Sequence, residues 1–390
     1  MSEYQFYEFQ AVDRPLTPDE MRTLRGYSSR ATITPSRFVN EYHWGNLKGN
    51  PYAWMERYFD AFLYYANWGT HELMLRLPRR LLSLDLAQRY CVSDDQASAS
   101  ESGDHVILSF SSEHEGDEWL EEDDGALGSI LPVRAEIASG DHRALYLAWI
   151  LAAQSGELGD DEPEPPVPPG LRSLTAAQQA FCEFLRVDED WIAVAAERSP
   201  AMHAEPGGDE LRAWIAALPD AEKTALLVRV AEGEGAMVGA ELVRRLRAER
   251  RPSAADDEPR TVGELFEAAE RREAERRRKA AERAAREKAR ADAAKAAARS
   301  KHLDTLVGRE NELWAQVEEL IATRLPKRYD EAVQLLADLR DLAARGGRED
   351  QALARIEDLC MRYAKRPAFI QRVRKAVPWR SRLFAEADGR

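Results

Sequence analysis

One stretch of this sequence restricts its fold more than any other: residues 267–299 consist of Ala, Arg, Lys, Glu and Asp. Most of these residue types have high helix propensity, and opposite charges four residues apart stabilise a helix. The stretch lacks the apolar seam of a coiled coil, so we expect a single charged helix or a fluctuating one. An apolar stripe follows from Leu303 to Ile321. If residues 261–323 form one helix, it is about 90 Å long at a rise of about 1.5 Å per residue.

Two segments interrupt the rest of the chain. Residues 157–171 are rich in proline and carboxylates, and this composition predicts an extended, solvated linker. The sequence therefore predicts a multidomain chain, with an N-terminal α+β domain followed by all-α regions that include a long charged helix and a C-terminal helical hairpin. The predicted parts are an α+β domain at 1–156, a linker at 157–171, a helical domain at 172–250, a linker at 251–259, a long charged helix at 260–323, and a hairpin with a tail at 324–390.

Residues 1–156 combine strand and helix signals. Thr17-Pro18-Asp19-Glu20 matches a capping box and predicts a helix that ends near Gly26. Asn50-Pro51 begins a second predicted helix, whose apolar stripe at three- and four-residue spacing extends to Leu63. Segments rich in aromatic and apolar residues predict strands at 4–12, 30–34, 37–43, 72–77 and 105–110. Further helices are predicted at about 127–137 and 141–154.

The other segments show helical periodicity interrupted by Pro and Gly. Thr175 is expected to cap a helix, and Thr261 with Glu264 forms a second capping-box match. Two helices that flank Gly346-Gly347 predict an αα-hairpin. The predicted helices after Thr175 lie at about 188–198, 209–218, 220–232, 236–250, 327–344, 348–364 and 366–376. The predicted hairpin core is Leu335, Leu336, Leu339, Leu342, Ile356, Leu359 and Tyr363.

Charge and cysteine content limit the classes of function. The net charge of −14 argues against nucleic-acid binding over the whole surface, although a local basic patch remains compatible with it. Three widely spaced cysteines, Cys91, Cys182 and Cys360, indicate buried apolar residues and a reducing compartment. No apolar run has the length of a membrane span, and the first residues do not resemble a signal peptide. We therefore expect a cytoplasmic protein without a membrane partner.

Known catalytic motifs are incomplete in this chain. His71-Glu72 begins like a zinc protease motif, but Leu75 occupies the position of its second histidine. Gly233, Gly235 and Gly239 resemble a dinucleotide-binding loop but follow a helix, so a helix-to-helix turn is expected. The acidic run 113–124 fails the template of a calcium-binding loop and predicts an exposed acidic loop. No catalytic residue, metal ligand or cofactor is assigned.

The polar and aromatic residues of the front domain are the candidate binding residues. They are Glu41, His43, Trp44, Trp68 and His71. Aromatic side chains beside Asn, Glu and His in turns are typical of a pocket or a protein contact. The alternative is that Trp44 and Trp68 belong to the core and satisfy their indole N–H groups locally.

The charged stretch is locally basic. Its candidate binding residues are Arg276, Arg277, Arg278, Lys279, Arg283, Arg286, Lys288 and Arg290. Such a helix can follow a line of phosphates but lacks the apolar face of a membrane-surface helix. The alternatives are a solvated spacer helix with internal ion pairs, or a helix that docks on an acidic protein surface.

Two resemblances cover most of the chain. The segments YQFYEFQAVDRPLTPDEM, TITPSRFVNEYHWGNLKGNP, YFDAFLYYANWGTHELMLRLP and VAEGEGAMVGAELVRRLRAE resemble a bacterial family of hypothetical proteins without an assigned activity, over residues 1 to about 250. The segments YDEAVQLLADLRDLAARGG and YAKRPAFIQRVRKA resemble the C-terminal helices of some bacterial SWIM zinc-finger proteins. The Cys and His ligands of that finger are absent, so the resemblance implies no zinc site here.

Three hypotheses follow from the sequence. The first is a non-enzymatic scaffold that bridges one or more proteins through its folded ends. The second is a nucleic-acid-associated protein that binds through the basic helix 271–301. The third is an enzyme with a pocket in the N-terminal domain around Glu41, His43 and His71, which requires these side chains to converge.

Overall fold

The computed structural model describes residues 3–113, 125–202, 207–250 and 258–376. The chain divides into two compact units, Met1–Arg276 and Arg277–Arg390. A sheet packed by helices is followed by an all-helical region with a long helix and C-terminal helices, so the predicted fold class is confirmed. The acidic run predicted at 113–124 lies outside the described residues except for Glu113, as do most of the second linker and the tail.

Unit 1 is built on a seven-stranded antiparallel sheet with strand order β2-β3-β1-β4-β5-β7-β6. The strands are β1 Gln5–Gln10, β2 Thr32–Ile33, β3 Arg37–Tyr42, β4 Ala61–Ala66, β5 Thr70–Pro78, β6 Ala97–Ser102 and β7 His105–Glu113. β1 pairs with both β3 and β4, so the N-terminal strand lies inside the sheet.

Helices cover both faces of this sheet. The helices of unit 1 are α1 Pro18–Tyr27, α2 Pro51–Arg57, α3 Leu84–Ala87, α4 Ala126–Ile130, α5 Pro132–Ala138, α6 Arg143–Gln154, α7 Ala176–Leu185, α8 Glu189–Arg198, α9 Gly208–Ala217, α10 Asp220–Arg229, α11 Gly235–Arg250 and the start of α12 Val262–Asp304. One core, around Phe9 and Phe62, packs against α1 and α2. The other, around Leu75 and Phe110, packs against α4 to α8 and the start of α12. Alternation of side chains along the strands supplies both cores.

Several predicted elements are confirmed in detail. Thr17 and Glu20 form the capping box of α1, and Thr175 caps α7 together with Gln178. The Thr261–Glu264 capping box is also present: the Glu264 N–H donates to Thr261 Oγ1 at 3.3 Å and the Thr261 N–H to Glu264 Oε2 at 3.0 Å. The glycine-rich segment after α10, Val230–Glu234, joins two helices through a kink at Gly233, whose φ is +99°.

Other predicted elements are wrong. The helix that starts at Pro51 ends at Arg57, and Phe62 and Leu63 belong to strand β4. β4 is buried on both faces, so its continuous apolar run resembles a helix stripe. β6 was not predicted because it consists of Ala, Ser and Glu, which have low strand propensity. The helix predicted at 127–137 is two helices, because Pro132 begins a new one.

The segment 157–171 is extended, as predicted, but it is not a solvated linker. Leu158, Glu164 and Leu171 are buried. Glu164 donates its amide to the Arg260 carbonyl at 2.7 Å, and the Val262 amide donates to the Glu162 carbonyl at 3.0 Å. The segment is therefore held against the start of α12. The residues before and after it belong to one compact unit, so no division between units coincides with the predicted boundary.

Unit 2 is helical. It contains the later part of α12, then α13 Glu310–Ala322, α14 Pro326–Arg345, α15 Glu349–Arg362 and α16 Pro367–Ala376. α14 and α15 form the predicted hairpin across Gly346-Gly347, and Leu336, Leu339 and Ile356 lie in its core. The helix predicted to run to residue 323 ends at Asp304, because Gly308 adopts a φ of +82° in the turn that precedes α13.

Candidate functional site

Two exposed tryptophans lie at the same end of the sheet of unit 1. β3 and β4 both run antiparallel to β1, and their last residues, Tyr42 and Ala66, both pair with Gln5. The turns that follow carry Trp44, which is 69% exposed, and Trp68, which is 47% exposed. The alternative that these tryptophans belong to the core is therefore wrong. We call the residues His43, Trp44, Asn67 and Trp68 the tryptophan rim.

Partly buried hydrogen bonds hold both turns of the tryptophan rim. The side chain of Gln5 donates from Nε2 to the Gly45 carbonyl at 2.9 Å and to Asn46 Oδ1 at 2.8 Å. The Tyr4 N–H donates to Asn67 Oδ1 at 3.0 Å, and the Asn67 N–H donates to the Tyr4 carbonyl at 3.0 Å. The start of β1 thus fixes the turn after β3 and the turn after β4. A surface held in this way loses little conformational entropy on binding.

Two tyrosines complete the support for Gln5. The hydroxyl of Tyr7 donates to Gln5 Oε1 at 2.6 Å, and the hydroxyl of Tyr64 donates to the same oxygen at 3.3 Å. Burial raises the pKa of both tyrosines above its ordinary value. Both hydroxyls therefore remain protonated near neutral pH and act as donors, so Gln5 keeps the orientation that presents its amide group to the turn after Tyr42.

The outer surface of the tryptophan rim combines an aromatic ring with a cation. The guanidinium of Arg30 lies over the indole of Trp44, 5.2 Å from the ring centroid. The ring of His43 lies 5.4 Å from that of Tyr4. Such contacts orient the rings while leaving their outer faces open to solvent.

Glu41 and His71 do not converge with the tryptophan rim on a pocket. Glu41, Phe6, Tyr65 and His71 occupy one row across β3, β1, β4 and β5. Three strand spacings of about 4.8 Å put Glu41 and His71 about 14 Å apart. His71 is buried against Phe184, with Nδ1 3.1 Å from the Gly69 carbonyl oxygen, whereas Glu41 and His43 are exposed. The convergence that the enzyme hypothesis requires is therefore not present.

A cavity of about 670 Å³ opens beside the end of β7, where its lining residue Ser112 pairs with His71. Its lining includes Asp95, Ser111, Glu113 and Glu157. None of the lining residues is a predicted site residue. Within the described part of the chain, no group of three or more His, Cys, Asp or Glu side chains is arranged to hold a metal ion.

The three cysteines are buried thiols, as predicted. Burial raises the pKa of Cys91, Cys182 and Cys360 to about 12. Because the thiolate is the nucleophile, a thiol with such a pKa is unreactive near neutral pH. The cysteines therefore contribute to packing.

The candidate basic residues of α12 are not equivalent. Arg276 donates from Nε and Nη2 to Asp190 Oδ2 at 3.0 and 2.8 Å, and it also pairs with Glu189 at 2.9 Å. These bonds attach the helix to α8. The other candidates lie on an exposed part of α12: Arg277, Arg278, Lys279, Arg283, Arg286, Lys288 and Arg290.

Sequence reasoning identified Trp44 and Trp68 but missed two of their supports, Gln5 and Tyr4. A glutamine inside an aromatic strand was the available signal for Gln5, since a buried amide requires several partners. Asp190 was missed because a carboxylate near the start of a helix is usually a solvated residue of its first turn.

Comparison of the chain with protein-family models, curated proteins and solved structures finds no significant match. In the four described segments, none of the helices has both the length and the apolar content needed to cross a bilayer.

Proposed function

We propose that this protein is a non-enzymatic interaction protein that bridges partner proteins through its two units, and that the tryptophan rim is the contact surface of unit 1. The observation that carries the proposal is the exposure of Trp44 and Trp68 at one end of a sheet whose interior supports both turns. We further propose that it acts in the bacterial cytoplasm, in keeping with its three unpaired cysteines.

The physical argument concerns the cost of exposing indole rings. A tryptophan side chain buries more apolar surface than most others, so leaving two of them in water forgoes a large stabilisation. Tryptophan is also enriched among the residues that dominate the free energy of protein association. The supported turns present both rings without requiring the surface to rearrange. These properties favour a preorganised protein-binding surface over a structural role for the two rings.

Unit 2 also has exposed apolar side chains, and they are the proposed contact residues of that unit. Val307 is 62% exposed and Met361 is 54% exposed. If the protein bridges partners, changes at these positions and changes in the tryptophan rim affect different partners. The two sets of substitutions therefore act as controls for each other.

The test is affinity purification of the full-length chain from a native bacterial cytoplasm, with nuclease treatment and a high-salt wash. The variants are Trp44→Ala with Trp68→Ala, and Val307→Ala with Met361→Ala. Partners identified by mass spectrometry are then purified, and their dissociation constants are measured. Loss of one hot-spot tryptophan costs about 2 kcal/mol, so we expect the dissociation constant of a unit 1 partner to rise about 30-fold or more for the rim variant.

The unit 2 variant is expected to leave the affinity for that partner unchanged. Circular dichroism and the melting temperature establish that both variants are folded. A partner that binds the rim variant as tightly as the wild-type chain would show that the tryptophan rim is not its contact surface. Recovery of the same single partner through both units, or of none, would contradict the bridging role.

A further inference from the structure

The exposed part of α12 carries a regular line of cations. Lys279, Arg283, Arg286 and Arg290 follow one another at spacings of four, three and four residues. With about 3.6 residues per turn, these positions fall on one side of the helix. At a rise of about 1.5 Å per residue, the line is about 16 Å long. We call these four residues the basic stripe; all four are exposed.

The basic stripe lies in a segment whose charge is opposite to that of the whole chain. Residues 277–298 contain eight Lys or Arg and three Glu or Asp, a net charge of +5 in a chain of net charge −14. Within the described residues, no ion pair or hydrogen bond engages the side chains of Arg283, Arg286 and Arg290. Off the stripe, Arg278 lies 3.8 Å from Glu282. The stripe is therefore a cationic surface on which three arginines make no such contact, although Glu282 and Glu287 lie within one helical turn of them.

The shape of this surface selects among anionic ligands. All uncharged residues of 277–298 are alanines, which supply too little apolar area for insertion into a lipid surface. A line of cations on a straight helix does not converge on one point, so it does not fit a single phosphate ion. It fits a linear polyanion with closely spaced charges. Duplex nucleic acid carries about one charge per 3.4 Å along each strand, or about five charges over the length of the stripe.

We propose that the basic stripe binds the phosphate backbone of double-stranded nucleic acid. Three of its four cations are arginines, whose planar guanidinium groups match phosphate oxygens in two-point contacts. Contacts to phosphates position a protein on a duplex but carry no sequence information, so binding through the stripe is independent of base sequence. This inference rests on α12 alone and is independent of the tryptophan rim.

The test is fluorescence anisotropy of a labelled duplex DNA of mixed sequence, titrated with the full-length chain at several salt concentrations. Four phosphate contacts give a slope of about −3.6 in a plot of log affinity against log salt. A fourfold rise in salt then weakens binding about 100-fold. Substitution of Lys279, Arg283, Arg286 and Arg290 by Gln is expected to remove this salt-dependent binding.

A matched control carries Gln at Arg277, Arg278, Lys288 and Lys295. It loses the same charge from the same helix but keeps the basic stripe, and Gln has a helix propensity close to that of Lys and Arg. We expect this control to retain most of the affinity and of the salt slope. Circular dichroism verifies that the helix content of both variants is unchanged.

Three results would overturn the proposal. One is absence of binding by the wild-type chain at low salt. The second is equal weakening by the stripe variant and the matched control, which would show that general charge and not the stripe causes binding. The third is displacement of the DNA by poly-glutamate at equal charge concentration, which would assign the stripe to an acidic protein surface. The rim variant, Trp44→Ala with Trp68→Ala, is expected to bind DNA normally. DNA binding by the basic stripe and protein binding by the tryptophan rim are therefore tested independently.

Discussion

Both units bury an aspartate that pairs with arginine, but the two arginines differ in their access to water. In unit 1, Asp60 pairs with Arg76, whose side chain is 9% exposed; in unit 2, Asp338 pairs with Arg299, whose side chain is 33% exposed. An arginine with access to water regains hydration when its partner is removed, whereas a buried one does not. The same ion pair is therefore expected to be a stricter requirement for folding in unit 1 than in unit 2.

The surroundings of Asp60 explain why unit 1 depends on it. Asp60 Oδ2 accepts hydrogen bonds from the amides of Val12 and Asp13 at 2.7 and 2.9 Å, and Oδ1 accepts one from Arg76 Nη2 at 2.7 Å. Burial alone would raise the pKa of Asp60, but the charge of Arg76, the Asp13 amide and the charge of Arg134 together lower it. The carboxylate thus connects the segment after β1, the start of β4 and the later part of β5.

Substitution Asp60→Ala tests the comparison most strongly. It leaves Arg76 buried without a carboxylate and two amides without an acceptor. Removing one partner of a buried ion pair costs about 3–5 kcal/mol, so we expect a loss of that size in the free energy of unfolding of unit 1. This loss is measured by chemical denaturation, with hydrogen exchange of the sheet amides as the readout for unit 1.

The control for that experiment is Asp19→Ala, which removes an exposed carboxylate that pairs with Arg22. An exposed pair contributes at most about 1 kcal/mol, so the stability of this variant is expected to stay close to that of the wild-type chain. Equal losses of stability from the two substitutions would show that the burial of Arg76 does not determine the effect of Asp60→Ala.

The extended segment 157–171 gives the second prediction. Glu164 accepts hydrogen bonds from the Tyr146 hydroxyl and from Arg260, whose Nη2 lies 2.7 Å from Oε1 and whose Nε lies 2.8 Å from Oε2. We expect Glu164→Ala to cost about 3 kcal/mol, because Arg260 is nearly as buried as Arg76. Limited proteolysis is expected to cut the segment faster in this variant, whereas the neighbouring exposed change Glu162→Ala is expected to leave the rate nearly unchanged. Rapid cleavage of this segment in the wild-type chain would indicate that it is a solvated linker and would contradict the prediction.

The third prediction concerns unit 2 and has a smaller expected effect. Asp338 accepts hydrogen bonds from Arg299, from His302 Nε2 at 3.0 Å and from Gln334 Nε2 at 3.2 Å. Hydrogen bonds to a charged group contribute about 1.5–3 kcal/mol, and Arg299 keeps Asp341 as a partner at 2.7 Å. We expect Asp338→Ala to destabilise unit 2 by about 2 kcal/mol, measured by hydrogen exchange of the α14 amides. A loss as large as that of Asp60→Ala would contradict the distinction between the two arginines.

The pH dependence of unit 2 follows from the same group. Burial alone would raise the pKa of Asp338, but its hydrogen bonds with His302, Arg299 and Gln334 lower it below its ordinary value. A carboxyl whose pKa is lowered by folding stabilises the folded state fully at any pH above its pKa in the unfolded chain, which is about 3.9. This contribution is lost as the pH falls through the pKa of the carboxyl in the folded chain. We therefore expect the stability difference between the wild-type chain and Asp338→Ala to shrink as the pH falls below about 4.

The two units also differ in how far their sequences predict them. The α14–α15 hairpin was predicted with its turn and core because each of its helices packs against a neighbour in the chain, and Gly346-Gly347 marks the turn. In unit 1, β1 pairs with β4 across more than fifty residues, and no local pattern contains that information. The assignment of Phe62 and Leu63 to a helix was wrong because their strand is buried on both faces. Such a strand lacks the alternation of apolar and polar residues that identifies strands.

The candidate sites show the same difference between local patterns, which the sequence predicts, and strand pairing, which it does not. The tryptophans of the tryptophan rim were identified because they stand in turns beside polar residues, but their exposure depends on strand register, which sets Tyr42 and Ala66 beside Gln5. His71 was grouped with them by closeness in sequence, and the register places it under α7 instead. The basic stripe was accessible from sequence because a helix converts spacing directly into position on a face.

The smallest expected effect belongs to the part of α12 between the two anchored arginines, Arg276 and Arg299. Ala285 is exposed there, so its replacement by Gly changes backbone entropy and hydration without removing a packing contact. We expect Ala285→Gly to lower the stability of the helix locally by about 1 kcal/mol. Amide exchange near residue 285 is then expected to be about fivefold faster, with the sheet amides of unit 1 and the α14 amides of unit 2 unchanged. Faster exchange in either of those cores would mean that this stretch of helix unfolds together with the core, and that its order depends on more than its own helix propensity.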